Sequence, residues 1–262
     1  MQKVRKEYNM KEEIIQWLRE WFEENGKGCN AVVSISGGKD STVCAALCVE
    51  ALGKDRVIGV LQPDGEQVDI ADAYKVCDLL GIRHITININ PAKRALMEAL
   101  LFQTNSNFAL EEVTEQAVQN LPPRLRMATV YLVSQCMNGR VINTCNLSET
   151  LLGWETRWGD AVGDVALLAD LTVQEVKELG YELGLPKELI DKTPSDGLCG
   201  KSDEDKMGIS YKVLDTYIRE GIEGDKEMMD KIHKRVKENM FKHKPIPYFH
   251  TGKSNHIAEK QQ

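Results

Sequence analysis

The stretch Ser34–Val43, SISGGKDSTV, joins the apolar run Ala31–Ser36 to the helix-like segment VCAALCVEALG. A β-branched run, two adjacent glycines and a run of small apolar residues spell strand, tight turn and helix N-terminus. Such a junction lets backbone N–H groups approach a phosphate and aims the positive end of a helix at it. The Walker pattern does not fit, because Asp40 follows Gly38 and Lys39, and Val33 stands where the first glycine belongs. The G-x-G-x-x-G fingerprint fails too, since Gly37 and Gly38 are adjacent and no third glycine opens the helix.

On either side of this loop the chain alternates. Ala31–Ser36, Arg56–Leu61, His84–Asn88 and Arg140–Thr144 are short β-branched runs, separated by helical patterns such as DIADAYKVCDLLG and RLRMATVYLVSQCMNG. That order predicts an α/β fold, a doubly wound, mostly parallel sheet with helices on both faces. Ligands then bind beyond the carboxyl ends of the strands, where SGGKDS and TCNLSE fall. Ile14, Ile15, Leu18, Trp21 and Phe22 predict an N-terminal helix that stops at NGKG. TVQEVKELGYELG, YKVLDTYIREGI and a charged segment from Glu227 predict further helices, the last ended by Pro245 and Pro247. Residues 192–209, Pro/Gly-punctuated and charged, read as a surface lid loop, and 1–262 as a single domain.

The totals narrow the function classes. A formal charge of −7 lacks the basic footprint of a nucleic-acid binder, so no nucleic-acid partner is expected. Seven cysteines without a C-x-x-C pair read as reduced thiols, which predicts a cytoplasmic protein. The charged N-terminus has no signal-peptide apolar region and no run is long enough to span a bilayer, so no membrane partner is expected.

Asp40 bears most directly on the chemistry. A carboxylate beside phosphates is repelled unless a cation lies between them, which points to Mg²⁺ on Asp40 and a polyphosphate. The alternative is that Asp40 caps the following helix. Ser36 and Ser41 would add hydroxyl donors to the backbone cradle.

The pattern SGGKDS resembles the pyrophosphate-binding loop of the N-type ATP pyrophosphatases, whose fold is adenine nucleotide alpha hydrolase-like. Further along, PRLRMATVYLVSQ, INTCNLSETLLGWETRWGD, KTPSDGLCGKSDEDKMGISYKVLD and HKPIP resemble, in order, the blocks of the NAD synthetase family. The resemblance implies ATP-dependent amidation of deamido-NAD through an acyl-adenylate, giving NAD, AMP and pyrophosphate. With no room for a glutaminase domain, it implies ammonia as the nitrogen source. It also implies a homodimer with the deamido-NAD site near the interface. Another amidating ATP pyrophosphatase and a non-catalytic nucleotide-binding regulator are the alternatives.

The resemblance assigns residues as well. Asp40 and Glu149 would hold Mg²⁺ and act as the catalytic carboxylates. Ser34, Ile35, Ser36, Gly37, Gly38, Lys39, Asp40, Ser41, Thr144, Val173 and Ser195 would line the ATP site, with Lys39 at a variable, incidental position. Arg124, Arg157, Asp164, His243 and Lys244 would contact deamido-NAD, with Arg126 a rival to Arg124. Many relatives carry a lysine on ATP where Val173 stands, so Lys177, Lys201 or Lys206 is expected to substitute for it. Cys44 and Cys48, at i and i+4, are expected to be core residues.

Overall fold

The computed structural model describes residues 9–67, 69–102, 112–192, 203–249 and 251. Its strands are β1 (Asn30–Ser34), β2 (Val57–Leu61), β3 (Arg83–Thr86), β4 (Gly139–Asn143) and β5 (Val165–Ala166). The α-helices are α1 (Met10–Asn25), α2 (Lys39–Leu52), α3 (Ile70–Leu80), α4 (Asn90–Leu101), α5 (Glu115–Cys136) and α6 (Leu147–Leu152). They continue with α7 (Val173–Glu182), α8 (Lys187–Ile190), α9 (Asp203–Met207), α10 (Tyr211–Glu220) and α11 (Lys226–Asn239). The expected lid falls mostly on residues 193–202, which lie outside the described residues, as does Ser195.

All four strand pairings are parallel, in the order β3-β2-β1-β4-β5. The doubly wound sheet is thus the one the alternation predicts. From β1 the chain winds outward to β2 and β3, then crosses back to β4 on the other side. The crevice of such a sheet opens where the winding reverses, between the carboxyl ends of β1 and β4.

Alternation along β1 sends side chains to two cores. Ala31 and Val33 pack with Leu18, Phe22, Leu47 and Val176 on one face; Val32 packs with Ile58, Val60, Val130 and Val141 under α5 on the other. β2 is buried along its whole length, as befits a parallel strand covered on both sides. A third apolar cluster, containing Leu152, Ile209, Leu214 and Ile232, gathers the C-terminal helices around α6.

Several elements differ from the sequence expectation. The α5 helix starts eight residues before Pro123 and runs through both Pro122 and Pro123. Helix α4, opened by Pro91 at its second position, was not predicted, because none of its residues is buried and its pattern has no core-facing stripe. Strand β5, two residues long, is too short for a period to show.

Helix α2 carries the glycine loop on its first turn, and Leu47 at its centre is fully buried. Leu47→Ala should therefore lower the unfolding free energy by about 2–5 kcal/mol, measured by urea denaturation.

Candidate active site

The loop after β1 is held by its own hydroxyls. Ser41 Oγ accepts from the Ser36 amide at 3.3 Å, pairs with Ser36 Oγ at 3.1 Å and donates to the Gly38 carbonyl at 3.2 Å. Thr42 Oγ1 donates to the same carbonyl at 2.7 Å. Gly37 has φ +80°, and a Cβ there would lie 2.8 Å from the Ala73 nitrogen. Only glycine lets the turn sit this close to α3.

Gly38 is the N-cap of α2, and no side chain caps the helix. The capping alternative for Asp40 is thereby replaced. Asp40 lies inside the first turn, and its carboxylate accepts from Lys39 Nζ at 2.8 Å and from Asn146 Nδ2 at 3.0 Å. Asn146 caps α6 by accepting the Glu149 amide at 3.0 Å, and Glu149 completes the capping box. The loop after β4 thus delivers Glu149 to the cleft that holds Asp40. Burial, then the Asp40 carboxylate, push the Glu149 carboxyl up to about 8.

These groups line a cleft of about 320 Å³, together with Ser34, Ile35, Ser36, Gly38, Gln62, Arg126, Lys192 and Asp203. The Lys39 side chain, at the position the resemblance marks as variable, is 2% exposed and lines the cleft beside Asp40. Val173 is 7% exposed and packs in the C-terminal apolar cluster, so it contributes no contact to the cleft. Lys177 and Lys206 do not line the cleft either, and Lys201 lies outside the described residues. Lys192 does, donating to Asp72 Oδ2 at 2.7 Å.

A second cavity of about 620 Å³ shares Ser34, Ser36, Gln62 and Arg126 with the first, so one wall separates them. Thr144 lines this second cavity, with Asn120, Glu155, Asp160 and Lys242. Arg126 donates from Nε to the Gln62 carbonyl at 3.0 Å, and Gln62 Nε2 returns a bond to the Arg126 carbonyl at 2.7 Å. Burial lowers the Arg126 guanidinium from its usual range, against the opposing pull of Asp64 and Asp160. Arg124, preferred over Arg126 in the sequence, is exposed and lines neither cavity, since helical geometry turns it away from its neighbour two positions on.

The other expected deamido-NAD residues gather near a third pocket. Asp164 and His243 line it with Glu155 and Cys145, and His243 Nδ1 lies 3.2 Å from the buried Glu155 carboxylate. Asp164 also accepts the Val141 amide at 2.7 Å, so it fastens the edge of β4. Arg157 stacks over Trp158 and Phe241, at 4.9 and 5.5 Å, and donates to the Lys244 carbonyl at 3.4 Å. Cys44 and Cys48 are fully buried, and burial pushes both thiols up, as core residues require.

Sequence reasoning missed Gln62, Lys192, Glu155 and Lys242. Gln62 follows β2 at its carboxyl end, a position the crevice rule would have marked. The others are placed by tertiary pairing.

The donor set suits a hard cation. Asp40, Glu149 and Asp203 bring carboxyl groups to one cleft. Beside them the Tyr211 hydroxyl is buried without a hydrogen-bond partner among the described residues. Burial and then Glu149, Asp203 and Asp40 keep that phenol protonated. Among the described residues no group of three or more His, Cys, Asp or Glu would hold a metal unaided. Magnesium commonly takes only one or two carboxylates and completes its sphere with phosphates and water.

A glycine loop at the switch point of a parallel sheet, with a carboxylate brought from each flanking strand end, makes the ligand crevice of a doubly wound α/β protein. The family model described as NAD synthase matches residues 10–246, and the chain belongs to that family. It is 38% identical to the NH(3)-dependent NAD(+) synthetase of Pyrococcus furiosus over 205 residues, 78% of this chain and 76% of that one. Among solved structures it superposes on an NMN synthetase from Francisella tularensis with TM-score 0.82, at 29% identity, covering 92% of this chain and 97% of that one. The NH3-dependent NAD synthetase of Campylobacter jejuni, in complex with nitrate, gives TM-score 0.73 at 25% identity and the same coverages.

Lys192 and, secondly, Lys75 hold the Asp72 carboxyl below its usual range through hydrogen bonds. A depressed carboxyl pKa adds stability that is present above the unfolded value and lost as pH falls through the folded one. Lys192→Met should therefore destabilise the protein at pH 7, and the difference from wild type should begin to shrink near pH 4, the ordinary aspartate range, and vanish only below the lowered folded value. Urea unfolding of both proteins across that range checks it.

Proposed function

We propose that this protein amidates deamido-NAD with ammonia, consuming ATP and releasing NAD, AMP and pyrophosphate. The observation that carries the proposal is the meeting of the glycine loop, Asp40 and Glu149 in one cleft of a chain that belongs to the NAD synthase family. The nicotinate carboxylate oxygen attacks the ATP α-phosphorus, and pyrophosphate leaves with the bonding pair. Ammonia then attacks the acyl carbon, AMP departs with its oxygen, and the surplus proton is lost to water. Activation is needed because a free carboxylate has no adequate leaving group.

The chain's own groups supply the setting. The Gly38 turn and the uncapped start of α2 receive phosphate oxygens. Asp40 and Glu149 would hold Mg²⁺, which on binding neutralises phosphate charge. Arg126 stands at the wall between the nucleotide cleft and the 620 Å³ cavity, where a guanidinium can meet the α-phosphate from the acceptor side. Both catalytic carboxylates are present, which disfavours a non-catalytic regulator.

A dimer belongs to the same proposal. Ile85 on β3, Leu96 and Leu100 on α4, and Leu132 on α5 are 44%, 51%, 40% and 61% exposed, apolar side chains of the kind a partner covers. In a dimer through this face, Arg124 of one protomer would serve a site completed by its partner. A cytoplasmic location fits the described cysteines, all free thiols. No helix among the described residues is long and apolar enough to cross a membrane.

The Francisella likeness favours a second acceptor, nicotinate mononucleotide. With ATP, Mg²⁺ and ammonium, wild-type protein should convert deamido-NAD to NAD with matching AMP, and more efficiently than it converts the mononucleotide. Asp40→Asn should cost at least about a hundredfold in kcat, as loss of a charge-stabilising group does. AMP without either amide would overturn the proposal, and a higher kcat/KM for the mononucleotide would replace the acceptor. Leu132→Asp should convert the dimer to monomer in light scattering, and an unchanged mass would exclude the α5 face.

A further inference from the structure

Lys39 is the member of the phosphate loop to which the proposed reaction gives no task. Its Nζ lies 2.8 Å from Asp40 Oδ2, and among the described residues that oxygen is its one hydrogen-bond acceptor. The carboxylates of Glu149 and Asp203 act on it from farther off, as does Asp215 from the side of α7. The remaining Asp40 oxygen is taken by Asn146 Nδ2 at 3.0 Å. Both oxygens of the residue assigned to the metal are therefore engaged by donors of the protein itself.

A buried ammonium persists only against a counter-charge, and carboxyl groups crowded at one cleft either take up a proton or gather a cation among them. One lysine meets both requirements. It also means that a divalent ion approaching Asp40 finds a rival already on Oδ2. The lysine stem is flexible and its three donors can be re-aimed, whereas the neighbouring loop hydroxyls are committed to one another. The cleft that Lys39 lines is the destination.

We propose that Lys39 is a built-in counter-cation for Asp40 and Glu149, which yields Oδ2 to a divalent metal and turns its ammonium onto the phosphates that arrive with it. The inference rests on the metal role given to Asp40 and Glu149 above. Manganese serves as the probe, with free Mn²⁺ read by electron paramagnetic resonance in the absence of nucleotide. Lys39→Met should bind Mn²⁺ about tenfold more tightly than wild type, the scale of one relieved charge repulsion at a partly solvated site. At saturating Mn²⁺ the same variant should bind pyrophosphate about tenfold more weakly, since one charge contact is lost.

Folded Lys39→Met with unchanged or weaker Mn²⁺ binding overturns the inference. Asp40→Asn separates it from the parent proposal: if that variant loses Mn²⁺ while Lys39→Met matches wild type, only the role of Lys39 falls. If Asp40→Asn binds Mn²⁺ as wild type does, the metal assignment falls and the inference with it. Should Lys39→Met not fold, Lys39→Gln keeps the hydrogen bond without the charge and should show the same two shifts. The unmodified protein gives an independent check. The ¹⁵Nζ resonance of the buried lysine, identified by its loss in Lys39→Arg, should move when Mg²⁺ and pyrophosphate are added, and an unmoved signal overturns the inference.

Discussion

The hydrogen bond from Asn146 Nδ2 to Asp40 Oδ1 joins two loops separated by 106 residues in the chain. Asn146 is fully buried, and its carbonyl oxygen is committed to the Glu149 amide, which fixes the amide group with its nitrogen toward Asp40. One side chain therefore caps α6, holds Asp40 and sets the distance between the two carboxylates. This arrangement works against the fold. A carboxyl pKa raised to about 8 destabilises the native state increasingly as pH rises above the unfolded value, near 4.5, up to the folded one. Groups kept together at such a cost are a mark of function, because packing alone would favour separating them.

How much of this the sequence carried depends on the range of the interaction responsible. β1, β2 and β4 were legible because buried parallel strands are continuous apolar runs bounded by turns. The glycine loop was legible because its requirements are local: a turn that only Gly37 permits, hydroxyls at fixed offsets, and a helix that follows. Glu149 could be read only through a family pattern, because the capping box that orients it would by itself be read as a helix start. Helix α4 was not legible, and none of its residues is buried. The burial of Lys39 was not legible, because in sequence it is one charged residue in a polar loop. Its burial follows from the packing of α2 against α7 and from carboxylates supplied by α6 and α9.

The two prolines of α5 show the same dependence. Proline inside a helix removes a donor and costs about 3 kcal/mol in isolation. Pro122 and Pro123 would leave the Val118 and Gln119 carbonyls without their helical partners. Gln116, Gln119, Asn120 and Pro123 all line the 620 Å³ cavity, so the proline-bearing turn faces it. The sequence shows the prolines as a helix boundary; the fold carries the helix through both and uses Pro123 as part of a wall.

The ends of α2, α6 and α7 near the cleft differ in what their first amides already bind. At α7, the Val173 amide donates to Ser148 Oγ, the Gln174 amide to Asp215 Oδ2 and the Glu175 amide to Thr172 Oγ1. At α6, Asn146 takes the Glu149 amide. Both ends already have anionic or hydroxyl partners within the protein, and α7 in particular has Asp215 where an anion would otherwise settle. Helix α2 has no such cap: Gly38 brings no side chain, and Asp40, the carboxylate in its first turn, is drawn away by Lys39 and Asn146. Its first amides remain for a ligand that approaches along the cleft. The same contrast accounts for Val173 being apolar, since the end of α7 it opens is closed to phosphate and packed against Leu152 and Leu214 instead.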